Sequence, residues 1–484
     1  MNELRDKNLS LMTDLYQLTM MNGYFMSGTH ETEAVFDLFF RENKSFNYCV
    51  AAGLLSAVDY IKNLRFTDSD IDYLKGLNIF GADFLDYLKS IRFTGDLYAV
   101  EEGEIVFASE PLLTVKAPVI EAQLLETALL NIVCHQTLIA TKAARVVSAA
   151  GGAPVTEFGL RRAQGPDAGV YGARAAIIGG CTGTSNVLAG KLFGARVLGT
   201  HAHSWVMSFE SELEAFEKFA EIYPDNCLLL VDTYDTLKSG VPNAIKVFNK
   251  LREKGRKPVG IRLDSGDLAY LSKKARIMLD EAGFNDAVIF ASNDLDENLI
   301  ASLALQGAKI DSYGVGTKLI TSFDCPSLGG VYKMSAIKRG GKWTPCLKLS
   351  DTAAKITNPG FKTVHRVYAP DSGRAFADLI ALRGEKLARP LVLTHEFERW
   401  KTATLERYDV RELPVKIFAS GKSVYEFPSL AASAAKAKAE SAKFWDEYKR
   451  LVNPHIYKVN ISDGLYALKQ ELISSKKTPA GGRA

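Results

Sequence analysis

Gly260-Ile-Arg-Leu-Asp-Ser-Gly-Asp-Leu268 joins a short apolar run to an acidic turn, and a helical pattern follows from Leu268 to Ala282. The same unit recurs about every thirty residues through the middle of the chain. The runs are Pro154–Phe158, Arg196–Leu198, Leu228–Val231, Gly260–Leu263, Val288–Ala291 and Ile310–Tyr313, with helices expected over Ser208–Ile222, Pro242–Lys254, Leu268–Ala282 and Glu297–Gln306. Short apolar strands alternating with helices imply a parallel sheet covered on both faces. Each run leads into a polar motif: Glu157-Phe-Gly-Leu-Arg161, Gly199-Thr-His-Ala-His-Ser204, Asp232-Thr-Tyr-Asp235, Asp264-Ser-Gly-Asp267, Ser292-Asn-Asp-Leu-Asp296 and Gly314-Val-Gly-Thr317. In a β/α barrel all such ends open on one face, where the chemistry sits. A doubly wound open sheet shares the alternation. However, its dinucleotide fingerprint is missing after the first strand, and motifs follow six strands rather than one or two. The fold expected is an incomplete, TIM-like β/α barrel.

Around this region the pattern changes. Residues 1–135 mix short strands, Ala34–Phe40 and Ile105–Phe107, with helical stretches, and lead into a long amphipathic helix from Val119 to Ala149 that Gly151-Gly152 stops. Residues 136–325 form the barrel. Residues 326–390 hold a hairpin, Gly330–Ser335 and Trp343–Leu349 about a turn at Arg339-Gly-Gly341, and are expected to pack on the barrel. Residues 391–474 make a C-terminal α/β segment with an Ala/Lys-rich helix over Ser429–Leu451, and 475–484 a flexible tail. The N-terminal and C-terminal pieces are expected to build a second, mixed α/β domain.

The 59 Lys and Arg against 56 Asp and Glu leave a net charge of +3, too little to argue for nucleic acid or a membrane surface as partner. Six cysteines lie far apart with no CxxC pair, so neither a zinc site nor a disulfide framework is expected. Cys134-His135 falls within a helical apolar pattern and reads as core. The start, Met1-Asn-Glu-Leu-Arg-Asp6, has no apolar signal core, and no apolar run reaches about 18 residues, so a cytoplasmic protein is expected.

Two of the seven histidines, His201 and His203, stand at i and i+2 between a strand and a helix, where both can face one cavity. One can act as nucleophile or base while N–H groups at the helix start hold a phosphate. A two-His metal site is the weaker reading, because no third ligand follows at helical spacing. Arg262-Leu-Asp-Ser-Gly-Asp267 offers paired carboxylates for ribose hydroxyls or Mg²⁺, with Arg262 poised for a phosphate or carboxylate. A helix cap by Ser265, with Asp267 in the first turn, is compatible with this. Asp232 with Asp235, and Asn293 and Asp294 with Asp296, repeat the acidic theme at two other strand ends. Any one could be a cap; three facing the same way favour a polyol or metal–polyphosphate site. Gly314, Gly316 and Thr317 resemble the phosphate loop found late in barrels, although a bare turn explains two glycines equally well. No Walker loop exists anywhere in the chain.

Thr13-Asp-Leu-Tyr-Gln-Leu-Thr-Met20, the Glu157, Gly199 and Gly314 motifs and Arg262-Leu-Asp-Ser-Gly-Asp-Leu268 together resemble the nicotinate phosphoribosyltransferase family, in unbroken order from about residue 10 to Asn358-Pro-Gly360. The resemblance implies a type II phosphoribosyltransferase: an incomplete α/β barrel with a second α/β domain, working as a homodimer with its active site at the interface. The implied reaction joins nicotinate to phosphoribosyl pyrophosphate with coupled ATP hydrolysis, giving nicotinate mononucleotide, pyrophosphate, ADP and phosphate for NAD salvage. Mg²⁺ is the implied cofactor and ATP the co-substrate. By the same resemblance His203 matches the histidine that ATP phosphorylates, and Tyr16 the aromatic that covers the pyridine ring across the dimer. Phe158 matches the opposing stacking face, Thr200 and Arg262 contact nicotinate, and Arg161 and Ser204 line the pocket. Asp232, Asn293, Asp294, Gly314, Gly316 and Thr317 are assigned to phosphoribosyl pyrophosphate. His203, Asp264 and Arg262 form the catalytic set. Asp232 and Asp264 are the metal candidates, and Glu157 and Asp232 the candidates for orienting His203.

Nicotinate is a flat anion, which suits two aromatic faces and an arginine. A nicotinamide-using relative would place an acid near Thr200–His201, where this chain has His. Quinolinate phosphoribosyltransferase lacks the paired-His strand end. The type I signature starts at Leu228-Leu-Leu-Val-Asp-Thr233, but Thr replaces its second acid and no Thr-Gly-Thr loop follows. A catalytically silent, nucleotide-binding barrel is the rival from another class, and the intact His203, Asp264 and Arg262 argue against it.

Overall fold

A computed structural model describes residues 8–43, 45–352 and 355–477. The chain start and most of the 475–484 tail lie outside the described residues, while 475–477 continue helix Asp463–Lys477 rather than a flexible tail. The chain divides into two compact units: one joins residues up to Leu138 with those from Ser327 onward, and the other is Ile139–Pro326. Among the described residues no helix is long and apolar enough to cross a membrane.

The second unit holds six parallel strands: β1 (Val155–Glu157), β2 (Gly183–Thr184), β3 (Leu228–Leu230), β4 (Gly260–Leu263), β5 (Val288–Ala291) and β6 (Ser312–Val315). They lie in the order β2-β1-β6-β5-β4-β3. The decisive pairing is β6 with β1, Tyr313 opposite Val155. The last strand returns to the first, as barrel closure requires and a doubly wound sheet does not. Leu229, Ile261, Leu263, Ile289, Ala291 and Val315 are fully buried along these strands. The circle stays open at one place: past β2 the pairing continues only as a bridge from Thr184 to Val197, and β3 is the other edge.

Two expected strands differ. Arg196–Leu198 supplies only that bridge, and Gly183–Thr184 takes a strand position without any apolar run. Gly183 permits this because a Cβ there would lie 2.7 Å from the Leu198 side chain and 2.9 Å from the Arg196 carbonyl oxygen. Strand β6 begins at Ser312 rather than Ile310: at Asp311 the backbone N–H donates to Ile289 O at 2.9 Å, but the Ile289 N–H is taken by the Asp311 carboxylate at 2.8 Å rather than by a backbone carbonyl.

The helices are α1 (Pro166–Ile178), α2 (Val187–Phe193), α3 (His203–Met207), α4 (Glu212–Ile222), α5 (Val241–Glu253), α6 (Leu268–Glu281), α7 (Glu297–Leu305) and α8 (Thr317–Ile320). Ser208–Ile222 is not one helix. Ser211 caps α4 by accepting the Glu214 N–H, so the chain re-enters a helix there. Asp267, not Ser265, caps α6 through Tyr270 N–H at 2.9 Å, and Asp296 caps α7 through Leu299 N–H at 2.8 Å.

In the first unit, strand Glu33–Phe40 lies antiparallel between Gly330–Arg339 and Leu113–Pro118, and Gly330–Arg339 forms the expected hairpin with Lys342–Pro345. A four-stranded sheet comprises Asp409–Glu412, Lys362–Tyr368, Ala375–Leu382 and Val459–Ile461. This mixed α/β unit is therefore built from both ends of the chain. The buried Lys362 Nζ stands 2.7 Å from the buried Asp37 Oδ2 within it. The long helix divides into Val119–Leu124 and Glu126–Ala149, and Ser429–Leu451 into Leu430–Ala442 and Asp446–Lys449. Burial pushes the Cys134 thiol up to about 12, and its sulfur fills the space where a Cβ at Gly330 would sit.

Candidate active site

Parallel pairing puts every polar motif of the barrel unit at the same edge of its sheet. His203 is the first residue of α3, and its side chain is 41% exposed. Its Nδ1 lies 3.1 Å from the Thr233 hydroxyl and its Nε2 3.8 Å from Asp264 Oδ2. The neighbouring His201 does not share that cavity. It is buried, with its Nε2 accepting the Leu230 N–H at 3.2 Å and its ring edge-on to Phe219. Burial foremost, then the charges of Arg262 and His203, lower its pKa to about 4.

Arg262 stands beside this pair at the end of β4. Its Nε donates to Ser292 Oγ at 2.9 Å, its Nη2 to Asp264 Oδ1 at 2.8 Å and its Nη1 to Thr200 Oγ1 at 3.4 Å. The guanidinium carbon lies 5.5 Å from the centre of the Phe158 ring, and Phe158 in turn lies 5.6 Å from Phe290 at 30°. A cation held over an aromatic face makes a shelf with charge at one side, which suits a flat anion. Gly314 is a residue of β6 rather than of a loop. A Cβ there would come within 2.7 Å of Phe158 and 2.8 Å of Phe290, so its visible role is to make room for the two rings. Gly316 is the residue before α8 and Thr317 its first residue.

The acids divide into groups with different partners. Asp232 accepts the Asp264 N–H at 3.1 Å and the Ser265 hydroxyl through Oδ2. Its Oδ1 is buried and has no hydrogen-bond partner among the described residues. Asp264 also accepts the Ser292 hydroxyl. Asp235 caps the turn after it through Leu237 and Lys238 N–H, and Asp296 pairs with Lys318 at 2.7 Å. Burial works to raise the Asp296 carboxyl, but Lys318 and its helix-cap bond outweigh that and hold it low. Asn293 and Asp294 are exposed, with φ of 99° and 36°. Left-handed backbone at two consecutive non-glycine residues is strained and is often found at ligand sites. Neither candidate for orienting His203 does so: Glu157 accepts the Thr184 hydroxyl and the Gly159 N–H, and Asp232 is engaged as described. Thr233 holds that position instead. Burial raises the Glu157 carboxyl, against those two hydrogen bonds.

Among the described residues, no three His, Cys, Asp or Glu side chains cluster as a metal site. Arg161 and Ser204 are exposed at this edge of the sheet, on a 3-10 turn after β1 and in the first turn of α3. Tyr16 is on helix Leu15–Met26 of the first unit and is 48% exposed.

Family models for the nicotinate phosphoribosyltransferase N-terminal domain, the nicotinate phosphoribosyltransferase family and its C-terminal domain match residues 11–134, 154–386 and 361–469. The chain belongs to the nicotinate phosphoribosyltransferase family. The nicotinate phosphoribosyltransferase of Bacillus subtilis is 47% identical over 477 residues, covering 98% of this chain and 97% of that one. The human nicotinate phosphoribosyltransferase is 33% identical over 537 residues, covering 98% of each. The crystal structure of human nicotinic acid phosphoribosyltransferase superposes with a TM-score of 0.83 at 31% identity, covering 95% of this chain and 99% of that one. The nicotinate-nucleotide pyrophosphorylase of Pyrococcus furiosus shares the fold, with a TM-score of 0.70 at 22% identity over 90% of this chain and 96% of that one.

As a member of this family, the chain is a phosphoribosyltransferase enzyme. The family match extends through residue 469, beyond Gly360 where the sequence motifs end. Thr233, Ser292 and Phe290 join the site although no sequence pattern gave them a role. Thr233 and Ser292 follow their strands at the same position as residues that were assigned one, and that equivalence is the signal that could have found them.

Proposed function

We propose that this enzyme makes nicotinate mononucleotide from nicotinate and phosphoribosyl pyrophosphate, coupled to ATP hydrolysis through a phosphohistidine at His203, in cytoplasmic NAD salvage. The observation that carries the proposal is His203, open to solvent between Thr233 and Asp264 and beside the Arg262–Phe158 shelf. The shelf supports a flat carboxylate-bearing base, with Thr200 beside the guanidinium. The pyridine nitrogen attacks the anomeric carbon with its lone pair, the carbon–oxygen bond breaks, and pyrophosphate leaves with that bond's electrons. The chemistry chiefly requires positioning and charge neutralisation.

With the Nδ1 proton given to Thr233, His203 Nε2 keeps its lone pair for the γ-phosphoryl group of ATP. ADP leaves, and water later releases phosphate. Mg²⁺ is commonly held by one or two carboxylates completed by phosphate oxygens, and the partnerless Asp232 Oδ1 beside Asp264 fits that role. The bound ion would neutralise pyrophosphate charge. The exposed Asn293–Asp294 turn and Gly316–Thr317 are assigned to phosphoribosyl pyrophosphate, and Tyr16 of a second copy to the open face of the base in a homodimer.

Product analysis with nicotinate or nicotinamide as sole base, with and without ATP, tests the reading. Nicotinate is expected to turn over with ATP stimulation, and γ-labelled ATP to leave an acid-labile, base-stable label. His203→Ala is expected to lose both label and stimulation, and full ATP-stimulated turnover in that variant would refute the role. Turnover of nicotinamide alone would transfer the assignment to the nicotinamide-using relative, and no product with either base would favour the silent barrel.

A further inference from the structure

The barrel's open seam lies between Val197 and β3, and at its catalytic end a side chain takes the place of the missing ladder. Leu230 is buried on the edge strand β3. The next residue, Val231, donates its N–H to Arg262 O on β4 at 3.1 Å, so by the alternation of a strand the Leu230 N–H points the other way, into the seam. A buried N–H without a partner is strongly unfavourable. His201 Nε2 accepts it at 3.2 Å. Because the partner is a donor, Nε2 must be unprotonated. The ring proton then sits on Nδ1, 3.4 Å from Ala202 O. His201 is 8% exposed, and its imidazole packs against Phe219 and Phe216, which fixes its plane.

We propose that His201 is a positioning residue for the reaction: its bond to Leu230 ties residues 197–203 to 228–233 and so sets His203 against Thr233 and Asp264. The two strand ends carry the partners in parallel. His203 lies two residues beyond one anchor of the cross-link and Thr233 three residues beyond the other, so slippage at the seam displaces His203 from Thr233 directly. This role rests on the assignment of His203 as the phosphoryl acceptor.

The test compares His201→Leu, which keeps apolar bulk and removes the acceptor, with His201→Gln, whose amide oxygen can reach the Nε2 position. Expected for His201→Leu is a kcat lower by about tenfold or more, a nicotinate KM within about twofold of wild type, faster amide exchange at Leu230 and less phosphoryl label. His201→Gln is expected to restore most of kcat, label and Leu230 protection. Wild-type kcat in His201→Leu overturns the proposal, as does a folded His201→Gln that falls as far as His201→Leu. If His201→Leu does not fold, ¹⁵N spectra of wild-type histidines decide. A neutral His201 protonated on Nδ1, with Leu230 protected, supports the link, and an unprotected Leu230 or an Nε2 proton overturns it. Leu230 protection does not depend on phosphorylation, so failure of His203 to accept phosphate in the wild type would be seen separately.

Discussion

Arg262 meets three partners at once because a guanidinium is planar, always charged and carries its donors in a fixed fork. Lysine could keep the charge but not this geometry over the Phe158 ring. Arg262→Lys is expected to lower kcat/KM for nicotinate by about ten- to a hundredfold, or about 1.4–2.7 kcal/mol, in steady-state assays. Thr233→Val should instead lower kcat with little change in nicotinate KM, because Thr233 touches His203 rather than the base shelf. His201 adds a pH dependence to stability. Its folded pKa, about 4, is below its ordinary 6.5, so the unfolded chain binds the extra proton. Stability is therefore expected to fall as pH drops from 6.5 towards 4, by up to about 3 kcal/mol in denaturant titrations. His201→Gln should flatten that slope.

At the scale of elements, strands β3 to β5, apolar apart from Arg262, were legible because hydrophobic runs of that length bounded by polar turns have few other uses. Strand β2 was not, since Gly183–Thr184 is a strand through its neighbours rather than through its own residue types. Caps at acidic positions such as Asp296 were legible as one use of the strand-end acids, but Ser211 was hidden within an expected continuous helix, and at the α6 start Asp267 is the cap while the Ser265 hydroxyl is engaged by Asp232, a distant residue. Gly314 shows the same dependence in reverse. It reads as a loop glycine, but the space above it is filled by Phe158 and Phe290. Gly314→Ala is expected to push the rings apart, destabilise by about 1–3 kcal/mol in thermal unfolding and raise the nicotinate KM, because overpacking at this position moves the shelf itself.

Across the molecule, the first unit joins strand Glu33–Phe40 to Gly330–Arg339, segments separated in sequence by the whole barrel. Inside it the Lys362–Asp37 pair is 2.7 Å long and buried on both sides, with Thr114 also donating to Asp37. Burial lowers the Lys362 pKa, against the pull of Asp37. Removing the cation strands a buried carboxylate, so Lys362→Met is expected to destabilise by about 3–5 kcal/mol in chemical denaturation, whereas replacing both partners with apolar residues should recover much of the loss.

The amino-acid sequence by itself determined the strand–helix alternation, the barrel class, the motifs at the strand ends and the family, because hydrophobic period and short polar motifs are local properties. Tertiary structure decided what distance in the chain hides. It left the circle of strands open between Val197 and Leu228, separated a buried His201 from an accessible His203, and gave Thr233 rather than Glu157 the place beside the imidazole. Those outcomes depend on which side chains from separate strands meet within a few ångströms, and burial then withdraws His201 from the site while leaving His203 open to it.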